Sequence, residues 1–189
     1  MKTLRNGSDL TYSEFMQLCF DPGILSYYKQ IQHFSDQEMK QEYAIWTSHV
    51  HQTVPDAYHT IKETLLDFRE KNGIIVVSSH NTETYIRRDY QELFGFLPDL
   101  IFAADNDEQF VKPQTGGITR LLNTYHLKPS ECLMVDDLMP GFEMAQQCQI
   151  PFAAAGYSMV NHDARRFFRQ HADYYLDQPE QLNELLKQS

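Results

Sequence analysis

The strongest constraint in this sequence is an alternation that begins near its middle. Short apolar runs recur between stretches of helical periodicity: Ile74-Ile75-Val76-Val77, Leu100-Ile101-Phe102-Ala103, Cys132-Leu133-Met134-Val135, Phe152-Ala153-Ala154-Ala155 and the shorter Asp173-Tyr174-Tyr175-Leu176. A run that is apolar throughout, rather than at every second residue, belongs to a strand covered on both faces. Helices are expected between the runs: from about Thr82 to Leu93, Gly117 to Tyr125, Gly141 to Cys148, and from an Asn161 N-cap through Phe168, with one more at the end. Strands alternating with helices predict an α/β fold, a Rossmann-like three-layer parallel sheet.

Residues 8–70 have a different texture, with helical signals and no convincing strand. Thr11-Tyr12-Ser13-Glu14 and Ser35-Asp36-Gln37-Glu38 are both capping boxes, in which hydroxyl and carboxylate each satisfy a free amide at a helix start. Asp21-Pro22-Gly23 breaks the first helix. A third helix is expected from Pro55, with the stripe Tyr58, Ile61, Leu65 and Phe68, ending at Gly73.

Composition narrows the function. Of 189 residues, 16 are Lys or Arg and 26 are Asp or Glu, a formal charge of −10. That disfavours nucleic acid and anionic membrane surfaces as partners, both of which require a basic field. The 42% apolar content suffices for a core. The three cysteines, Cys19, Cys132 and Cys148, form no C-x-x-C pair, so neither a disulfide framework nor structural zinc is expected. His49 and His51 do not share a helix face, which also argues against zinc. The first residues carry no apolar signal segment and no run is long enough to span a bilayer, so a cytoplasmic location is expected.

In an open α/β sheet, ligands bind beyond the carboxyl ends of the strands. After the first strand come Ser78, Ser79, His80 and Asn81: hydroxyls at a helix start, suited to a phosphate or simply to capping the helix. After the second comes Lys112-Pro113, a lysine in an extended segment able to offset phosphate charge or merely solvated at the surface. After the third come Asp136 and Asp137, whose crowded charge requires a cation or a hydrogen-bond network and whose oxygens suit Mg²⁺; here the functional reading outweighs a cap beside a surface acid.

Taken in order, Ser78, Lys112-Pro113 and Asp136-Asp137 resemble motifs II, III and IV of the haloacid dehalogenase-like (HAD) hydrolases. Val76 to Gly156 carries the resemblance, and the helical N-terminal part resembles a C1-type cap of the phosphoglycolate phosphatase-like branch. The resemblance implies a helical cap domain at 1–56, an α/β core at 57–189, and Mg²⁺-dependent hydrolysis of small phosphorylated metabolites through an aspartyl phosphate. Carried over, Ser78 and Ser79 would bind phosphate, Lys112 would bind phosphate and act in catalysis, and Asp136 and Asp137 would hold Mg²⁺. Residues of these types place fixed positive charge and donors where phosphoryl charge is spread.

Two departures qualify it. Many members carry a further acid four residues after the first motif IV aspartate; here that position is Pro140, and Glu143 is the nearest later acid. Motif I, a buried strand ending in D-x-D-G-T ahead of the cap, has no counterpart in Met1-Lys2-Thr3-Leu4-Arg5. Asp9, within Ser8-Asp9-Leu10-Thr11, and Asp21, within Cys19-Phe20-Asp21-Pro22-Gly23, are poor substitutes, since neither has a second acid two residues on. Because that strand lies between those bearing motifs II and IV in the family, the sheet is expected to lack its central strand and to hold two open interior edges. Three explanations stand: an N-terminally shortened enzyme, favoured because motifs II to IV keep the needed residue types; a non-catalytic phosphate- and Mg²⁺-binding relative; or a strand supplied by another segment or chain. Open edges also invite association, a homodimer included. A receiver-type domain fits poorly, since its paired acids come early and its lysine late. The aromatic residues Tyr27, Tyr28, Phe34, Tyr43 and Trp46 would line a pocket or pack the cap's own interior.

Overall fold

The computed structural model describes residues 10–50 and 52–187. The chain opens with helices. α1 (Tyr12–Phe20) starts on the reciprocal Thr11–Glu14 capping box and stops at Asp21-Pro22. A short α2 (Ile24–Ser26) runs directly into a π-helical turn, Tyr27–Ile31, which the sequence pattern does not announce. α3 (Asp36–Val50) begins at the Ser35–Glu38 box. Tyr28 and Phe34 are buried and stacked at 5.0 Å, packing the helical segment's own interior, whereas Tyr43 is 41% exposed and lies 6.1 Å from Trp46.

α4 (Ile61–Glu70) starts six residues later than the expected Pro55. Residues 53–58 form no helix, and Tyr58 leaves the stripe to meet Tyr157 edge-on at 4.9 Å. The alternation then follows: β1 (Val76–Ser78), α5 (Glu83–Phe94), β2 (Leu100–Phe102), α6 (Gly116–Tyr125), β3 (Met134–Asp136), α7 (Met139–Cys148), β4 (Phe152–Ala154), α8 (His162–His171), β5 (Tyr174–Tyr175) and α9 (Glu180–Lys187). α7 begins at Met139 rather than Gly141, because Pro140 fits a first helical turn where no amide partner is needed. Asn161 caps α8 as expected, accepting from the amides of Asp163 at 2.7 Å and Ala164 at 2.9 Å.

All pairings are parallel, and the sheet is in two pieces. β1 pairs with β2 (Val76 opposite Leu100, Ser78 opposite Phe102). β3 pairs with β4 and β4 with β5 (Asp136 opposite Ala154, Ala153 opposite Tyr174). Among the described residues nothing pairs with the inner edge of β1 or of β3. This is the interrupted sheet expected of a HAD-like core without its central strand.

The core is anchored in the three-stranded piece. Phe152 and Phe168 are fully buried, with Phe142, Phe167 and Phe20 packed around them at ring separations of 5.2–5.9 Å. Phe20 carries α1 onto α8 through this cluster. Cys132 and Cys148 are half-buried beside Ile118, Met144 and Ile150, and all three cysteines are free. No described helix is long and apolar enough to cross a membrane.

Phe168→Ala should cost about 3–5 kcal/mol, as large core truncations do, whereas Tyr174→Ala at a 42% exposed position should stay within about 0.5 kcal/mol. Urea unfolding of the two variants checks the contrast, and equal losses would refute this placement of the core.

Candidate active site

Each strand of the alternation delivers its next residues to one edge of the molecule. At the end of β1, the Ser78 hydroxyl is buried and has no hydrogen-bond partner. Ser79 turns instead to the local backbone: its hydroxyl accepts from the Asn81 amide at 3.1 Å, while its own amide donates to the Phe102 carbonyl. His80 reaches out of the same loop, its Nε2 lying 3.0 Å from the Lys112 carbonyl. The loop after β1 is thereby tied to the loop after β2.

Lys112 lies in a turn following a 3₁₀ turn at Glu108–Phe110 and precedes a cis Pro113. The expected extended segment is therefore a tight turn, and the lysine points inward rather than into solvent. Its Nζ contacts the Asp136 carboxylate at the end of β3, and the two side chains are only 11% and 8% exposed. Asp136 is held on its other oxygen by the amides of Asp137 at 2.8 Å and Leu138 at 3.1 Å. An aspartate accepting amides at a helix start is well placed electrostatically.

Asp137 is the strained member of the pair. Burial, and then the Asp136 charge, push its carboxyl above the ordinary carboxylate range; Ser158, 2.8 Å away, and Lys112 oppose this. Such a carboxylate is short of positive charge. The same charge reaches outward: burial first and Asp137 second raise the Cys19 thiol to about 11, and burial, Tyr58 and Asp137 raise the Tyr157 hydroxyl to about 12.

Several of these neighbours were not anticipated. Ser158 follows β4, so the strand-end rule used for Ser78, Lys112 and Asp136 reaches it once it is applied to the fourth strand. Gly141 has a packing role legible only in three dimensions, since a Cβ there would lie 2.2 Å from the Asp136 Oδ2. Tyr58 and Cys19 approach through tertiary packing and carry no local signal. Glu143, the nearest later acid, is exposed on α7. Of the two substitute aspartates, Asp21 is an exposed helix end, and Ser8-Asp9 lies outside the described residues, as does His51.

The donor set bears on a metal. Among the described residues no cluster of three or more His, Cys, Asp or Glu side chains could hold an ion. Mg²⁺, however, keeps several waters and commonly uses one or two carboxylates plus substrate oxygens. Asp136 and Asp137, the latter held above its ordinary range partly by its neighbour, fit that demand.

A family model described as haloacid dehalogenase-like hydrolase matches residues 4–155. The chain belongs to this family. Solved structures agree on the fold. A predicted phosphatase from Clostridium acetobutylicum superposes with a TM-score of 0.75 at 12% identity, covering 97% of this chain and 85% of that one. A predicted phosphoglycolate phosphatase from Haemophilus somnus gives 0.63 at 16% identity, covering 96% and 77%. CbbY from Rhodobacter sphaeroides, in complex with phosphate, gives 0.65 at 15% identity, covering 94% and 81%. No curated protein sequence matches. The site just described joins the loops whose residues resemble motifs II, III and IV of that family.

Two variants probe this geometry. Gly141→Ala must push the Asp136 carboxylate off Lys112 and should destabilise by about 1–3 kcal/mol; combined with Lys112→Met it should cost less than the sum of the two, as coupled neighbours do. Asp137→Asn, measured in chelator, follows the linkage of its raised carboxyl. Protonation relieves the folded state, so the native aspartate is favoured below its ordinary pKa of 3.8 and loses that advantage as pH rises through the higher folded value. The asparagine variant should therefore gain stability over the wild type near neutrality and lose that gain in acid. Denaturant melts at both pH values check the sign, and a gain that persists in acid would refute it.

Proposed function

We propose that the site serves Mg²⁺-dependent hydrolysis of small phosphate monoesters, of the phosphoglycolate phosphatase-like kind. The observation that carries this reading is the nearly buried Lys112–Asp136 pair at the ends of the sub-sheets, close to a crowded second carboxylate on Asp137, with the unpartnered Ser78 hydroxyl ending β1. A buried hydroxyl without a partner costs free energy until a ligand satisfies it.

In this reading Ser78 donates to a phosphate oxygen, and Ser79 contributes once its local bond to Asn81 yields. Lys112 is the catalytic cation, placed over the phosphoryl oxygens as their charge redistributes. Asp136 and Asp137 hold Mg²⁺, which when bound neutralises phosphate charge. His80 fixes the Lys112 loop through its carbonyl. The helical segment 1–56 acts as a cap over the core at 57–189, and specificity for the ester's organic part lies there. A soluble cytoplasmic setting suits a small anionic metabolite.

A second reading has a specific observation behind it. No D-x-D-G-T motif occurs in this sequence, and Lys112 engages Asp136 rather than a separate nucleophilic acid. A module that binds phosphate and Mg²⁺ without turnover would have this arrangement.

Calorimetry of inorganic phosphate with and without Mg²⁺ tests the shared part: binding should require Mg²⁺ and weaken about tenfold or more in Ser78→Ala and Lys112→Met, about 1.4 kcal/mol each. Release of phosphate from an aryl phosphate separates the two readings. A chain extended at its N-terminus by a strand ending in D-x-D-G-T should turn over and lose activity with Lys112→Met. If the folded, extended chain binds phosphate with Mg²⁺ but never releases it from the ester, the binding module is the correct reading. Absence of Mg²⁺-dependent binding in every form overturns both.

A further inference from the structure

The two aspartates of the site are held very differently. Asp136 is fixed by Lys112 and by the amides of Asp137 and Leu138. Among the described residues, the side-chain hydrogen bond that Asp137 accepts comes from Ser158, 2.8 Å from its Oδ2. Ser158 comes from the loop after β4, outside the three loops that carry Ser78, Lys112 and Asp136.

The turn that carries Ser158 has little freedom. The Ala155 amide donates to the Asp136 carbonyl at 3.0 Å, so the pairing of β3 with β4 runs one residue past the strand. The chain then bends sharply: the Gly156 amide donates to the Ala154 carbonyl at 2.9 Å, and the Ser158 amide closes the turn on the Ala155 carbonyl at 3.0 Å. Between them the Tyr157 amide donates to the Leu176 carbonyl at 3.1 Å, which pins the turn beside the end of β5. Ala155, Gly156 and Met159 are buried. A Cβ on Gly156 would run into the Tyr175 ring, so the backbone is seated directly against that ring.

A hydroxyl has one proton to give, and Ser158 has two acceptors, Asp137 Oδ2 and the Ala155 carbonyl, each at 2.8 Å. The carbonyl already accepts the Ser158 amide. A carboxylate that holds a metal is ionised, and an ionised acceptor takes the stronger bond. The proton therefore goes to Asp137. One oxygen of that carboxylate is then fixed, rotation about its bond to Cβ stops, and the other oxygen has a single place. Without the bond, two crowded like charges would separate by turning Asp137 away from Asp136.

We propose that Ser158 is a positioning residue for the metal carboxylates: its hydroxyl holds Asp137 beside Asp136 against their mutual repulsion, so that both acids are in place before Mg²⁺ binds. The hydroxyl itself touches neither the ion nor the phosphate. The inference rests on the Mg²⁺ reading of this site and adds to it a residue that acts through Asp137. Partners of this kind behind a metal ligand are worth about ten- to a hundredfold in metal affinity.

The test titrates Mg²⁺ into the full chain by calorimetry, with inorganic phosphate present, in wild type, Ser158→Ala, Ser158→Cys and Ser158→Thr. Cysteine keeps the size of serine with a weak donor, and threonine keeps the hydroxyl. The alanine and cysteine variants should bind Mg²⁺ about tenfold more weakly, and threonine should restore most of the loss. Mn²⁺, which suits the same oxygen ligands, should give sharper paramagnetic resonance lines in wild type and the threonine variant than in the other two. Melting in chelator reports the fold separately, and if alanine loosens the turn the cysteine variant carries the comparison. Wild-type binding with equal Mg²⁺ affinity in the alanine and cysteine variants overturns the proposal and leaves the Mg²⁺ reading standing. A lowered melting temperature with unchanged Mg²⁺ affinity also overturns it, since Ser158 is then only structural. If the wild type itself takes no Mg²⁺, that reading fails and this proposal fails with it.

Discussion

The structure depends on how two half-sheets that share no backbone pairing are held together at one end. Among the described residues, the ion pair of low exposure that joins them is Lys112 with Asp136, from the loop after β2 to the end of β3. Removing two charges from water is expensive, and such a pair repays that cost only when its remaining groups are also satisfied. Asp136 meets the condition, since its second oxygen takes two backbone amides at the start of α7. The His80 bond on the Lys112 backbone carbonyl fixes the loop that carries the lysine. The pair is thus a structural tie between the two pieces, and Gly141 leaves room for its carboxylate and nothing more.

The rest of the molecule distributes its stability unevenly around that tie. The β3–β4–β5 piece is backed by a dense aromatic cluster and the fully buried small residues of β4. The β1–β2 piece has less behind it: Phe102 and Ile86 are its buried anchors, and Phe102 stacks on Phe110 at 5.7 Å. Arg88 of α5 reaches the carbonyls of Val50 and Thr53, so the smaller piece also holds the end of α3. Regions with fewer buried contacts open first, and here the less supported piece is the one that carries Ser78 and the Lys112 loop. Ser78 and Lys112 therefore sit on the side of the molecule that opens first on this argument.

Much of this was legible from local chemistry. Five apolar runs gave five strands, shifted by at most two residues, because a run apolar on both faces has no other stable use in a chain of this size. Both capping boxes and the Asn161 cap appear as written, since capping is decided by residues a few positions apart. Misjudged features were decided at long range. Tyr58 fits a helical stripe, yet packing against Tyr157 draws it away and α4 begins at Ile61. Lys112 reads as solvated by composition, yet a turn after a 3₁₀ segment aims it at Asp136. Ser158 belongs to the site through β4, a strand whose end carries no conspicuous residue. Strand ends bring Ser78, Lys112 and Asp136 to one edge; which side chains meet there required the fold.

The interrupted sheet also bears on how the surrounding helices pack. A complete parallel sheet would bury its central strands between helices, and the walls for such a strand are present: Leu65 and Leu182 on one side, Ile118 and Met144 on the other. These side chains do not collapse onto one another, because α4 and α9 are committed to the cluster around Ala153 and Leu176, while α6 and α7 are committed to Ile150 and Cys148. Both helix pairs pack on the β3–β4–β5 piece, α4 and α9 through Ala153 and Leu176, α6 and α7 through Met134 and Ile150. The space beside β1 is therefore walled by helices whose packing is already decided by the larger piece, which leaves the β1–β2 pair to be held by its loops and by the Lys112–Asp136 tie.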